Sequence, residues 1–107
     1  MDQSIQSYLK PELDEASKVL LRAAEKIERE GWIQDMYSNE HGLCLLGALG
    51  YPLHEGRDEV EEARLRLAMT IRGPLTRWND APGRTKEEVV AKLRSVALGG
   101  SFGRTDR

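Results

Sequence analysis

The chain has 107 residues, with 18 acidic and 16 basic side chains and a formal charge of -2, which is the length of one domain. The balanced charge supplies no excess positive field for neutralising phosphates, so non-specific nucleic-acid binding is disfavoured, although a small local basic patch is compatible with it. One cysteine excludes an internal disulfide. With no apolar run of about 18 residues and no basic, apolar leader, a reduced cytoplasmic protein without membrane segments is expected.

Taken in chain order, Ile5, Tyr8 and Leu9 follow Asp2 at helical spacing and predict a short N-terminal helix capped by Asp2. Lys10 precedes proline and should interrupt it, while Pro11 suits the first turn of a second helix. Leu13, Ala16, Leu20, Ala23, Ala24 and Ile27 form one apolar stripe with Val19 beside it; Lys18, Arg22, Glu25, Lys26 and Arg29 cover the rest. Gly31 should end this helix, and Trp32 should fold back onto Ile27.

The segment Ser38-Asn39-Glu40-His41-Gly42 reads as a turn-rich break before the apolar run Leu43, Cys44, Leu45, Leu46, Gly47, Ala48 and Leu49. A run of this length fits a buried strand or a buried helix; its leucines and alanine favour helix, stopped at Gly50-Tyr51-Pro52. Asp58, Glu59, Glu61 and Glu62 then load the start of a further helix, with Arg64, Arg66 and Arg72 towards its end, as the helix dipole favours. Gly73 and Pro74 stop it, and Pro74 to Trp78 adds one more turn. Thr85 and Glu88 form a capping box that opens the last helix, whose stripe is Val89, Val90, Leu93, Val96 and Ala97 and whose end is Gly99-Gly100. No repeat or linker divides these segments, so the expectation is an all-α single domain, a bundle of about five helices. Its core spans residues 11–99, with residues 1–10 as an extension and 100–107 as a flexible tail.

Gly31-Trp32, then Gly42 and Cys44 with Leu46-Gly47-Ala48-Leu49, then Trp78-Asn79-Asp80 and Thr85-Lys86-Glu87-Glu88-Val89 together carry a resemblance. Between about Leu20 and Ala97 the chain resembles a family of small uncharacterised proteins from actinobacteria and their phages that carry a domain of unknown function. The resemblance implies a shared fold and an actinobacterial or actinophage origin, and it implies no reaction.

Capping explains Thr85 and Glu88 but leaves Trp78, Asn79, Asp80 and Arg84 as a polar and aromatic cluster on a loop, a place for binding groups or for loop bracing. Cys44 with His41 is the sharpest catalytic candidate: a thiol at a helix start, an imidazole to take its proton, and Asp80 or Asn79 to orient that imidazole. Against it, a lone cysteine among leucines is usually a small buried hydrophobe. His41, Cys44, His54 and Asp80 match no compact zinc spacing, and no Gly-rich phosphate loop is present, so neither metal nor cofactor is expected. A helix-turn-helix over Leu43 to Ile71 would send Asp58, Glu59, Glu61 and Glu62 towards phosphates and is disfavoured.

Leu21, Leu65 and Met69 fall partly off the core stripes, and Leu65 and Met69 are one turn apart with Arg72 beyond them. They read either as core on a second side of a bundle helix or as an interface of the apolar and arginine kind. The leading functional expectation is therefore a cytoplasmic protein-binding module, phage-encoded and acting on a host protein or self-associating. Its binding residues would be Leu65, Met69, Arg72, Trp78, Asn79, Asp80 and Arg84. The alternative is a cysteine-dependent hydrolase or transferase using Cys44 with His41 and Asp80.

Overall fold

The longest amphipathic stripe of the sequence becomes the central helix, α1 (Glu15–Glu30), in the computed structural model, which describes residues 13–99. The expected helix from Asp2 to Leu9, the break at Lys10-Pro11 and the tail after Gly100 lie outside the described residues. Ala16, Val19, Leu20, Ala23, Ala24 and Ile27 are all buried, which is the expected 3.6-residue stripe. Leu13 does not join it. The cap is Asp14, whose carboxylate accepts the Ser17 amide at 2.9 Å, so Leu13 precedes the helix, out of register with the stripe and exposed.

Gly31 ends α1 with φ 105°, a value open to glycine, and its amide donates to the Ile27 carbonyl at 2.8 Å. It also lets another strand pass. A Cβ on Gly31 would lie 2.2 Å from the His41 carbonyl oxygen. Through that contact β2 (Gly42–Leu43) lies beside the 31–33 segment: the Leu43 amide donates to the Gly31 carbonyl and the Ile33 amide to the Leu43 carbonyl, both at 3.1 Å. The other edge of β2 pairs antiparallel with β1 (Ser38–Asn39), with Ser38 opposite Leu43 and Asn39 opposite Gly42.

The expected helix over Leu43–Leu49 is therefore shortened. Leu43 is drawn into strand pairing, Cys44 becomes a cap, and only α2 (Leu45–Leu49) is helical. Tyr51 and Gly50 close it by donating their amides to the carbonyls of Leu46 and Gly47 at 3.0 and 3.1 Å.

Helix α3 (Asp58–Ile71) carries Asp58, Glu59 and Glu61 in its first turn, as expected, but Arg64 and Arg66 lie in its middle rather than in its last turn. Their roles are local. Arg64 bonds Glu61 and Arg66 bonds Glu62, the i,i+3 and i,i+4 spacings of a helix surface, and Arg66 also bridges to Asp14 and so ties α3 to the start of α1. Arg72 caps the helix in the left-handed region at φ 67°, with its amide on the Ala68 carbonyl.

Pro74 then leads into α4 (Leu75–Asn79), and Thr85 opens α5 (Lys86–Ala97) through the expected capping box. The α5 stripe of Val89, Val90, Leu93, Val96 and Ala97 is buried throughout. Helix α1 packs on α5, α2 and α3, while α4 bridges α2 and α3. The fold is all-α apart from the small hairpin, and the core lies around α1, where Leu20, Ile27, Leu45, Leu67 and Leu93 have essentially no exposure. Burying each such side chain stabilises by about 1.5–3 kcal/mol. Among the described residues, no helix is long and apolar enough to cross a membrane.

Candidate functional site

The loop after α4 meets the segment after α1 through Asn79, which is 1% exposed. Its side-chain oxygen accepts the Trp32 indole N–H at 2.7 Å and the Leu45 amide at 3.1 Å. Its nitrogen donates to the Ile33 carbonyl at 3.1 Å and to Asp80 Oδ1 at 2.9 Å. An amide side chain has two donors and two acceptor lone pairs, so the bonding capacity of Asn79 is used within the protein. It is a structural tie between the end of α1, the start of α2 and the end of α4.

The neighbours of Asn79 extend the tie. Gln34 donates to the carbonyls of Asn79 and Ala81 at 3.1 and 3.2 Å, and the Asp35 amide donates to Asp80 Oδ1 at 3.0 Å. Arg84 lies over the Trp78 ring at 3.8 Å from its centre and donates to the Trp78 carbonyl at 2.8 Å, with Glu88 at 3.6 Å on its other side. Trp78 packs its apolar part on the core. Of the sequence-predicted loop residues, Asn79 thus faces inward and Trp78 and Arg84 brace each other. Trp78 and Arg84 also line a shallow concavity of about 420 Å³ beside Glu88, Ala91 and Lys92 of α5, while Asp80 turns towards a different cleft.

That cleft, about 340 Å³ in volume, is lined by Asp35, Met36, Tyr37, Cys44, Thr76 and Asp80. Cys44 contributes its thiol from below: the residue is 5% exposed, and its Sγ caps α2 by accepting the Gly47 amide at 3.5 Å. Burial pushes the thiol pKa up and the charge of Asp80 adds to that, while the Gly47 and Leu46 amides oppose it. This is the reverse of an activated nucleophile. His41 is exposed at the hairpin turn, where its Nε2 is 3.6 Å from a Glu40 oxygen and its amide donates to Asn39. It is not part of the cleft lining, so Cys44 and Asp80 are brought together while His41 pairs elsewhere. His54 lies against Gly50, and among the described residues no three potential metal-ligating side chains of this kind converge.

The remaining candidates form a third location. Leu65 and Met69 are 46% and 68% exposed on α3, on the face away from buried Ala63 and Leu67, and exposed Arg72 lies at the end of the helix. Leu21, by contrast, is partly buried against the core. Sequence reasoning missed Trp32, Gln34 and Asp35 as loop partners; the only signal was the polar pair Gln34-Asp35 a few residues after the helix-ending Gly31.

A family model described as a family of unknown function, DUF6197, matches residues 11–98. No curated protein and no solved structure matches the chain. The matched span covers the five helices of the described residues, the Asn79 tie and the cleft, and by that match the chain belongs to the DUF6197 family.

Proposed function

We propose that the chain is a non-catalytic protein-binding module that presents the outer face of α3 to a partner protein or to a second copy of itself. The supporting observation is the exposure of Leu65 and Met69, one turn apart on a helix whose opposite face already supplies Val60, Ala63 and Leu67 to the core. Covering each of these two side chains in an interface would contribute at most about 1.5–3 kcal/mol. Arg72 at the end of the helix adds a residue type that interfaces favour, as they favour methionine. The cysteine-dependent alternative draws less support, because the Cys44 thiol is desolvated and occupied in capping. The cytoplasm of an actinobacterial host, reached by a cellular or a phage gene, is the setting this proposal assigns.

Replacing Leu65 and Met69 together by glutamine tests it. With the thermal melt unchanged, the native chain should retain a partner from actinobacterial lysate, or sediment as a dimer, and the variant should do neither. Equal retention and equal sedimentation by the two chains would refute the assignment of the face.

A further inference from the structure

A further concavity, about 170 Å³ in volume, lies between α1, the end of α2 and the start of α3, and includes neither Leu65 nor Met69. Its floor is Val19, Ala48, Leu49 and Val60, all buried. Its wall is basic. Arg22 and Lys26 come from α1, His54 from the turn after Gly50 and Arg57 from the N-cap of α3, so three separate stretches of chain bring basic groups to one place. Gly50, at φ 122°, sets the histidine: a Cβ there would lie 3.0 Å from the His54 ring, so only glycine lets the imidazole fold against this turn. Among the described residues none of the four side chains has an ion-pair or hydrogen-bond partner, whereas Lys18 and Arg29 of α1 and Arg64 and Arg66 of α3 all pair with carboxylates. Glu25 and Glu30 stand three and four residues beyond Arg22 and Lys26, the spacings at which helix side chains meet, yet neither cation bonds to them. Arg22 and Lys26 are instead one turn apart, a like-charge pair that costs the helix stability. One carboxylate, Glu59, shares the lining, which leaves three permanent cations against one anion. The neighbouring acids of α3 are engaged elsewhere: Glu61 bonds Tyr51 and Arg64, Glu62 bonds Arg66, and Asp58 lines a concavity on the Asp14 side.

We infer that this concavity binds a phosphate group, held by Arg22, Lys26 and Arg57 with the His54 ring as a further N–H donor. Four physical points select that class. A concavity with an apolar, low-dielectric floor and walls mainly of one charge focuses its field on an oppositely charged group. Three cations that repel one another are relieved more by a phosphate dianion than by a carboxylate, which balances only one of them. A guanidinium offers a fork of donors that matches phosphate oxygens, and a lysine adds a mobile point charge. The volume of about 170 Å³ is below the range of about 300–1,000 Å³ that encloses a whole ligand, so it takes the phosphate group and leaves the rest of a larger molecule outside. With no glycine-rich phosphate loop in the chain, side chains rather than a loop of backbone amides would hold the group.

The phosphate has two natural sources, the free ion or a small phosphomonoester, and two probes separate them. Inorganic phosphate and glycerol phosphate are each titrated into the ¹⁵N-labelled full chain at low, matched ionic strength, with acetate as the monoanionic control. The expected result is saturable shifts centred on the amides of Leu49, Gly50, His54 and Arg57 with at least one phosphate probe, and no saturation with acetate over the same range. Arg22→Gln with Lys26→Gln should weaken that binding at least about tenfold, since it removes two charge-assisted contacts. Neither residue is part of the core, and glutamine keeps the helix propensity of α1. Arg77→Gln with Lys92→Gln removes the same charge elsewhere and should leave the binding within about twofold, because screening limits the reach of distant charges. Tighter binding of glycerol phosphate would identify a phosphomonoester as the ligand, and equal or tighter binding of inorganic phosphate the free ion. The proposal is overturned if neither phosphate probe gives saturable local shifts, if acetate saturates as readily, if the folded Arg22 and Lys26 variant binds unchanged, or if the Arg77 and Lys92 variant loses as much. Should the Arg22 and Lys26 variant not fold, Arg57→Gln carries the same test, because the Arg57 side chain makes no capping bond, and unchanged binding by it would overturn the site.

Discussion

Asn79→Ala tests the tie between the α1 end and the α4 loop. The substitution removes an acceptor shared by the Trp32 indole and the buried Leu45 amide, and a donor to the Ile33 carbonyl. Each orphaned group costs about 1–3 kcal/mol; because Trp32 and Ile33 are only partly buried and can recruit water, a total of about 3–5 kcal/mol follows. Against a typical domain stability of about 5–15 kcal/mol that is a large fraction. At about 4–8 °C per kcal/mol for a domain of this size, the melting temperature should fall by about 12–40 °C. Urea unfolding followed by tryptophan fluorescence measures the change directly. A double-mutant cycle with Trp32→Phe should return a coupling of about 1 kcal/mol, since the two side chains share a hydrogen bond. A loss below about 1 kcal/mol for Asn79→Ala, with no coupling to Trp32, would refute the tie and return Asn79 to the pool of binding residues.

Three further outcomes can be checked with standard measurements. Gly47→Ala would place a Cβ 2.0 Å from the Tyr37 carbonyl oxygen, forcing α2 from the hairpin loop; a loss of about 1–3 kcal/mol or more is expected by urea unfolding. Cys44 should alkylate with iodoacetamide near pH 8 at least about tenfold more slowly than in a short peptide, and at the peptide rate in denaturant, because burial raises its pKa and restricts access. A rate equal to or above that of the peptide would revive the nucleophile reading. Asp14 is held well below its ordinary value of 3.8, first by the Arg66 guanidinium and then by the Ser17 amide. Its stabilisation is therefore complete above that value and is lost as pH falls through the lower folded-state pKa. Asp14→Asn keeps an acceptor for the cap but loses the ion pair, so it should cost at most about 1 kcal/mol at neutral pH for this solvent-exposed carboxylate. The difference should shrink as the pH falls below about 4, as seen by chemical unfolding across pH, and a difference that persists unchanged would count against the pair.

The parts of the fold that were legible in the sequence are those set by neighbours three or four residues away. The α1 stripe, the Gly31 and Gly50 stops and the Thr85–Glu88 box all follow from helical spacing and backbone capping. The hairpin was not legible, because Gly42 and Leu43 take their hydrogen bonds from the 31–33 segment and from β1, and those pairings depend on tertiary approach rather than on local propensity. For the same reason Arg66 looked like a dipole partner of its own helix when its strongest contact is Asp14, 52 residues away. Asn79 looked like a loop polar group because its partners Trp32, Ile33 and Leu45 are 34 to 47 residues distant. Leu65 and Met69 were recognisable as residues off the core stripe, but a small bundle can bury a helix on two sides, so only the packing distinguished exposure from core.

Recognition through the outer face of α3 is tested most directly by a photo-crosslinking amino acid placed at position 69, with the same group at exposed position 22 on α1 as reference. The full-length protein is irradiated in actinobacterial lysate and, separately, at high concentration alone. A discrete adduct from position 69 that is absent from position 22 and is abolished by Leu65→Gln is the predicted result. No adduct at position 69, or indistinguishable adducts from both positions, would contradict the account.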